Sequence, residues 1–104
     1  MKKYTIYFSN ETYDDLKSIF NYIALIEREP INAQNLIKQI IEATNLLDTF
    51  PYKHPEVKYL NTNMRCLIVK KHIVFYSVDE TRMAVNILRI LSCKRDIDSY
   101  IKKN

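Results

Sequence analysis

The 104-residue chain contains no glycine, and this absence constrains it more than any other feature. A chain of this length ordinarily carries about seven. Glycine lets backbone approach a phosphate closely or adopt positive φ, so a Walker A loop, a dinucleotide-binding G-x-G-x-x-G turn and a KH-type loop are all excluded. Any left-handed turn position must be supplied by Asn, Asp or Lys instead. The length also excludes a barrel enzyme or two full domains, so a single domain over residues 1–104 is expected. With 47% hydrophobic residues, including eight Tyr and four Phe, such a domain can bury a core without disulfides or metals.

Alternation runs from Lys3 to Ser9, with Tyr4, Ile6 and Phe8 on one side, and predicts a first strand. Ser9 or Asn10 then caps a helix whose first turns hold Glu11, Asp14 and Asp15, where carboxylates meet the positive helix end. Leu16, Ile19, Phe20, Ile23 and Ile26 form its apolar stripe. Pro30 interrupts the run. A second helix, with Asn32 as its expected cap, turns Ala33, Leu36, Ile37, Ile40, Ile41, Thr44 and Leu47 inward. The short connection makes the pair an αα-hairpin. Phe50-Pro51 ends it, because the residue before proline is pushed out of helical geometry.

Residues 51–63 read as a loop. Three runs dense in Val, Ile, Leu and Tyr follow, Met64–Lys70, Ile73–Val78 and Met83–Cys93, joined by short polar connections that predict antiparallel hairpins. Lys94–Lys103 is expected as a terminal helix contacting the core through Ile97 and Ile101. The predicted fold is α+β, in the order β-α-α-β-β-β-α, an antiparallel sheet covered on one face by a helical hairpin.

The N-terminus shows no apolar leader, and no apolar run approaches the ~20 residues that span a bilayer. Cys66 and Cys93 lack a C-x-x-C partner and read as small reduced hydrophobes. A cytoplasmic protein without metal, cofactor or membrane contact is expected. Charge is divided unevenly: residues 1–52 hold five basic and seven acidic side chains, residues 53–104 eleven basic and five acidic. The second half is therefore expected to face an anionic partner, either nucleic acid or an acidic protein segment.

Three local patterns, in order, resemble the RelE/ParE superfamily, the toxins of bacterial type II toxin–antitoxin systems. They are Asp15-Leu16-x-x-Ile19-x-x-Tyr22-Ile23-Ala24; Leu46-Leu47-Asp48-Thr49-Phe50-Pro51 followed by His54-Pro55; and Val69-x-x-x-Ile73-Val74-Phe75-Tyr76-x-Val78-Asp79 followed by Val85-x-Ile87-Leu88-Arg89-Ile90-Leu91-x-x-Lys94-Arg95-Asp96-Ile97. The resemblance spans nearly the whole chain. It implies a growth-inhibiting toxin that forms a hetero-oligomer with a cognate antitoxin. RelE-like members resemble ribosome-dependent mRNA endonucleases, whereas ParE-like members resemble inhibitors of DNA gyrase. A third possibility is a non-toxic module that only binds antitoxin. In many relatives a histidine and a glycine precede the final basic pair, where this chain has Ser92 and Cys93.

Cleaving RNA through its 2′-hydroxyl needs a base, cations for the phosphorane and an acid for the leaving oxygen. RelE-like enzymes typically place an arginine just before the central Val-Tyr strand, and Ile73 occupies that place here. This favours the ParE-like reading. If the chain is a ribonuclease, the candidate catalytic residues are Arg65, Arg95 and Tyr100, with Tyr100 otherwise an anchor of the last helix. The candidate binding residues are Lys70, Lys71, Arg89, Lys94 and Arg95. Arg89, read as sharing strand parity with Ile87 and Leu91, either anchors antitoxin or pairs with a carboxylate such as Asp96. His54 is a candidate base with no acid beside it. Glu56 and Glu80 read as surface charges. Tyr4, Phe8, Phe75 and Tyr76 could stack bases, but alternation sends most of them to the core.

Overall fold

Each element of the computed structural model, which describes residues 3–59 and 61–93, starts or stops for a local reason. Strand β1 (Thr5–Phe8) buries Ile6 and Phe8 by alternation, together with Tyr4 just before it. Ser9 follows in extended geometry (φ −68°, ψ 162°) and caps helix α1 (Asn10–Asn21), its hydroxyl accepting from the Thr12 N–H. Through Tyr22–Ile26 the helix loosens into a π turn, closed by the Glu27 N–H on the Tyr22 carbonyl at 3.0 Å. Helix α2 (Pro30–Asn45) starts at the proline, two residues before the expected Asn32 cap. Pro30 lacks the N–H that would go unpaired at the first helical position, and Glu29 before it offers no side-chain cap. A 3₁₀ turn (Leu46–Asp48) leads into Phe50-Pro51.

Four more strands follow: β2 (Glu56–Tyr59), β3 (Thr62–Val69), β4 (His72–Asp79) and β5 (Ala84–Ser92). The sheet order is β1-β5-β4-β3-β2. The fold is α+β with a helical hairpin on one face of the sheet, as expected, but two details of the sheet differ. The expected loop contains β2, which pairs antiparallel with β3 from Glu56↔Arg65 to Tyr59↔Thr62; a four-residue edge strand carries too little periodicity to be seen. Strand β1 lies parallel to β5 (Thr5↔Ala84 to Phe8↔Ile87), so the sheet is mixed. That pairing joins segments some eighty residues apart, and neither segment encodes its direction. The expected helix over 94–103 lies outside the described residues.

The helices press on one sheet face, where Ile40 and Leu47 meet Leu67, Val69, Val74, Tyr76, Val85, Ile87 and Ile90, with Leu16, Ile19 and Leu36 beside them. The opposite face carries a second apolar group, Met64, Ile73, Phe75 and Leu91, with Val57, Cys66 and Leu88 partly buried around it. A bulge between the two central strands decides which residue goes where. Tyr76 lies opposite Ile87 but Phe75 lies opposite Arg89, leaving Leu88 as the extra residue. Arg89 therefore does not share parity with Ile87, contrary to the alternation expected for an unbroken strand.

Without glycine, the left-handed positions fall to Asn61 (φ 65°) and Lys70 (φ 57°), the residue types expected, and also to Arg28 (φ 58°) and Met83 (φ 52°). A Cβ at such a position costs roughly 1–2 kcal/mol. Lys70 is exposed and is the first of two residues joining the paired Val69 and His72, a place where tight hairpins favour glycine. Lys70→Gly should therefore raise stability by about 1 kcal/mol, read as a higher urea midpoint at unchanged slope. An unchanged or lower midpoint would show that the turn is not strained.

Candidate functional site

Two clusters tie the charged and aromatic residues of this fold to its framework. The first closes the free edge of β5. Strand β1 ends opposite Ile87, and β5 continues to Ser92 without it. Over that stretch the start of α1 supplies the missing partners. The Ser9 N–H donates to the Ile87 carbonyl at 3.0 Å, and the Thr12 hydroxyl donates to the same carbonyl at 2.9 Å. The Ser9 hydroxyl donates to the Leu88 carbonyl at 2.9 Å. Asp15 accepts the Ile90 N–H at 2.9 Å and, through both oxygens, Arg89 Nε at 2.9 Å and an Arg89 Nη at 3.0 Å. Ser9, Thr12 and Asp15 recur every third residue, so one helix face presents all three to the strand. Arg89 thus meets a carboxylate in Asp15; Asp96, the carboxylate named from the sequence, lies outside the described residues.

The second cluster packs the 51–55 loop against β3. Arg65, opposite Tyr76, lies on the helix-bearing face of the sheet. It donates to the carbonyls of His54 (2.6 Å) and Tyr52 (3.3 Å), and its guanidinium sits 5.1 Å from the centre of the Tyr52 ring. Glu56, on the neighbouring strand, pairs with it at 3.6 Å. The Tyr76 hydroxyl, at the floor, donates to the Pro51 carbonyl at 2.8 Å. Above them Glu80 accepts from two phenols, Tyr4 (2.7 and 2.9 Å to its two oxygens) and Tyr52, whose rings meet edge to face. Hydrogen bonding to Glu80 pushes the Tyr4 hydroxyl up to about 12 and raises that of Tyr52, because a phenolate could not donate to the carboxylate. A shallow depression of about 160 Å³ opens beside this cluster, lined by Tyr52, Glu56, Asn63, Met64, Arg65, Ser77 and Val78.

Lys70 and Lys71 are exposed in the β3–β4 turn, whose Lys71 carbonyl accepts the Cys93 N–H at 2.7 Å. Arg65 and Arg89 are not brought together: each is engaged by its own part of the framework, Arg65 by loop carbonyls and Arg89 by Asp15. Lys94, Arg95 and Tyr100 lie outside the described residues. Ile73 is buried with Met64, Phe75 and Leu91. His54 packs edge to face on Tyr76, and burial, then Lys53, lowers its pKa, which keeps the ring neutral to lower pH. Phe75 and Tyr76 are fully buried, and Tyr4 and Phe8 pack against the core, so these four form no open stacking platform. Cys66 is half-buried with its thiol pKa raised by burial. Among the described residues no group of three His, Cys, Asp or Glu side chains is placed to hold a metal ion, and no helix is long and apolar enough to cross a membrane.

Glu80 and Glu56, surface charges by sequence, are both partners in the second cluster. Nothing local in the sequence marks that role, since Tyr4 and Glu80 are 76 residues apart.

The ParE toxin family of type II toxin–antitoxin systems (parDE) matches residues 6–97. Among solved structures, the chromosomal ParDE toxin–antitoxin system from P. aeruginosa superposes with a TM-score of 0.70 at 19% identity, covering 86% of this chain and 96% of that one. The RelBE2 toxin–antitoxin complex from Mycobacterium tuberculosis gives 0.68 at 16% identity, covering 88% and 93%. The archaeal RelE–RelB complex from Pyrococcus horikoshii OT3 gives 0.64 at 14%, covering 89% and 98%. No curated protein sequence matches significantly.

Both clusters yield measurable consequences. Asp15→Ala leaves the Ile90 N–H and the Arg89 guanidinium without their shared acceptor. With Asp15 mostly buried and Arg89 about one-third exposed, the expected loss is about 2–3 kcal/mol in chemical denaturation, and a loss under 0.5 kcal/mol would show the edge contact to be dispensable. For the phenols, a folded-state pKa above the unfolded value means stability fully present below about pH 10 and lost as pH rises toward 12. Glu80→Gln should bring the absorbance titration of Tyr4 and Tyr52 back toward ordinary tyrosine, whereas an unmoved titration would remove Glu80 as the cause.

Proposed function

Because this chain belongs to the family of ParE toxins of type II toxin–antitoxin systems, we propose that it arrests growth by binding and inhibiting DNA gyrase rather than by cutting RNA, and that a cognate antitoxin silences it. The observation that carries the non-nucleolytic reading is the apolar character of the sheet face around Ile73. Phosphoryl transfer without a metal needs cations at the phosphorane and an acid–base pair on either side. Around Ile73 that face instead presents Met64, Cys66, Phe75, Leu88 and Leu91. On the opposite face, Arg65 spends its donors on two loop carbonyls and Glu56. Arg89, which shares the Ile73 face through its pairing with Phe75, has its guanidinium clamped by Asp15. A cation so held is poorly placed to follow the charge that develops in a transition state.

Three similar folds were solved as toxin–antitoxin systems or complexes, which supports an antitoxin as the partner of this chain. Its chemistry follows from the charge division: the basic second half, with Lys70 and Lys71 exposed at one end of the sheet, suits an acidic tail. Such a complex should loosen with salt.

The discriminating experiment pairs an assay of the purified chain with one in cells that express it. Gyrase supercoiling should be blocked at a stoichiometric ratio and restored by antitoxin, while messenger RNA from induced cells stays intact. Transcripts cut at codon positions, abolished by Arg95→Ala, would instead establish the endonuclease reading with Arg65, Arg95 and Tyr100. Growth unaffected by expression without antitoxin would reduce the chain to an antitoxin-binding module.

A further inference from the structure

The sides of the sheet are finished differently. The overhang of β5 is sealed by Ser9, Thr12 and Asp15. At β1 the 3₁₀ turn arrives, its Asp48 carbonyl accepting the Tyr4 N–H at 2.8 Å. Strand β2 ends the other side, and among the described residues no strand or turn pairs with its outer edge. Its Glu56 and Lys58 are exposed, while Val57 is half-buried beside Met64.

The ladder with β3 fixes which peptide groups that edge offers. The Cys66 N–H donates to the Pro55 carbonyl at 3.2 Å, in the same register that sets Val57 against Met64 and Tyr59 against Thr62. Bonded and non-bonded pairs alternate along an antiparallel ladder. Pro55, Val57 and Tyr59 therefore turn their peptide groups to β3, and Glu56 and Lys58 turn theirs outward. Proline and lysine commonly guard an edge against other strands. Here the N–H that Pro55 lacks belongs to the inner side, and Lys58 has an acidic residue two positions away to meet.

A second β2 laid antiparallel about a two-fold axis can bring outward groups to outward groups with the axis at Glu56, Lys58 or Val57. The first sets Glu56 against Glu56, and the second sets Lys58 against Lys58. The third sets Glu56 against Lys58 on both sides of the axis, each pair exchanging both of its N–H···O bonds, with Val57 facing Val57 at the close, non-bonded position. An isologous interface requires this self-complementarity. Glu56 shares its face with Arg65, which lies 3.6 Å away, so its carboxylate would sit between that guanidinium and Lys58 of the other copy. Lys58 makes no ion pair of its own among the described residues. On the opposite face the Val57 contact extends the apolar group of Met64, Ile73, Phe75 and Leu91.

We propose that β2 is a self-association edge: two copies of this chain pair antiparallel through Glu56, Val57 and Lys58, joining their sheets about an axis at Val57. So short a strand gives a weak dimer that forms only at high concentration. The proposal does not depend on whether gyrase is the target.

Sedimentation equilibrium of the full-length chain from about 5 to about 500 μM tests it. The expected mass rises from that of one chain, 12.4 kDa, toward twice that value. Over the same range the Glu56 and Lys58 amides should gain protection from hydrogen exchange, while that of Val57, bonded within its own sheet, stays constant. Lys58→Glu sets carboxylates against each other on both sides of the axis and should weaken association about tenfold or more, with the thermal midpoint kept because the side chain is exposed. Glu56→Lys should weaken it likewise. Mixed together, these two variants place Lys against Glu at every pair and should form a dimer that neither forms alone. A monomeric mass over the whole range would overturn the proposal and leave the edge to a strand of another protein. Undiminished dimerisation by Lys58→Glu would overturn it too, by moving the contact elsewhere.

Discussion

The edge of β5 is the constraint on which the rest of the fold depends. Its parallel neighbour β1 has four residues against its nine, so the central hairpin would otherwise show a row of unpaired peptide groups. Such an edge invites pairing with other chains. The first turns of α1 close it with Ser9, Thr12 and Asp15, each bonded to a specific peptide group of β5. Those contacts also set where α1 leaves the sheet. From that start the hairpin can cover only the face that holds Val74, Tyr76, Val85 and Ile87. The helix cap, the edge closure and the clamp on Arg89 are one local structure.

The same arrangement shapes what the protein can do chemically. A basic chain supplies many cations, but the described arginines of the sheet are committed to holding it together. Arg65 gathers the carbonyls of a loop that has no glycine to fold back on itself, and Arg89 answers the carboxylate that seals the strand. Rigidity gained this way ties both side chains to the framework, and the proposed non-nucleolytic reading rests on that commitment.

Much of this was legible in the chain and some was not. The two-residue and 3.6-residue periodicities located β1, both helices and the three long strands, and the Ser9 cap and the inner face of α2 followed from them. The missing glycine pointed to Asn, Asp or Lys at left-handed positions, and Asn61 and Lys70 are of those types, but Arg28 and Met83 took the same geometry without any residue-type signal. Strand β2 was too short to show its period. The site was less legible than the fold. Arg89 was expected to find a carboxylate, and it found one in Asp15, 74 positions away in the chain. Glu80 gave no sign that it would hold two tyrosines.

The sequence by itself determined β1, both helices and the three long strands, the αα-hairpin, the apolar stripes and the exclusion of glycine-dependent phosphate loops, because each depends on residues within a few positions of one another. Tertiary structure alone decided the parallel pairing of β1 with β5, the bulge that turns Arg89 away from the parity of Ile87, and the partners of Asp15, Arg65 and Glu80. These join residues tens of positions apart, and which of several chemically equivalent carboxylates or carbonyls a side chain meets depends on where packing brings the segments together.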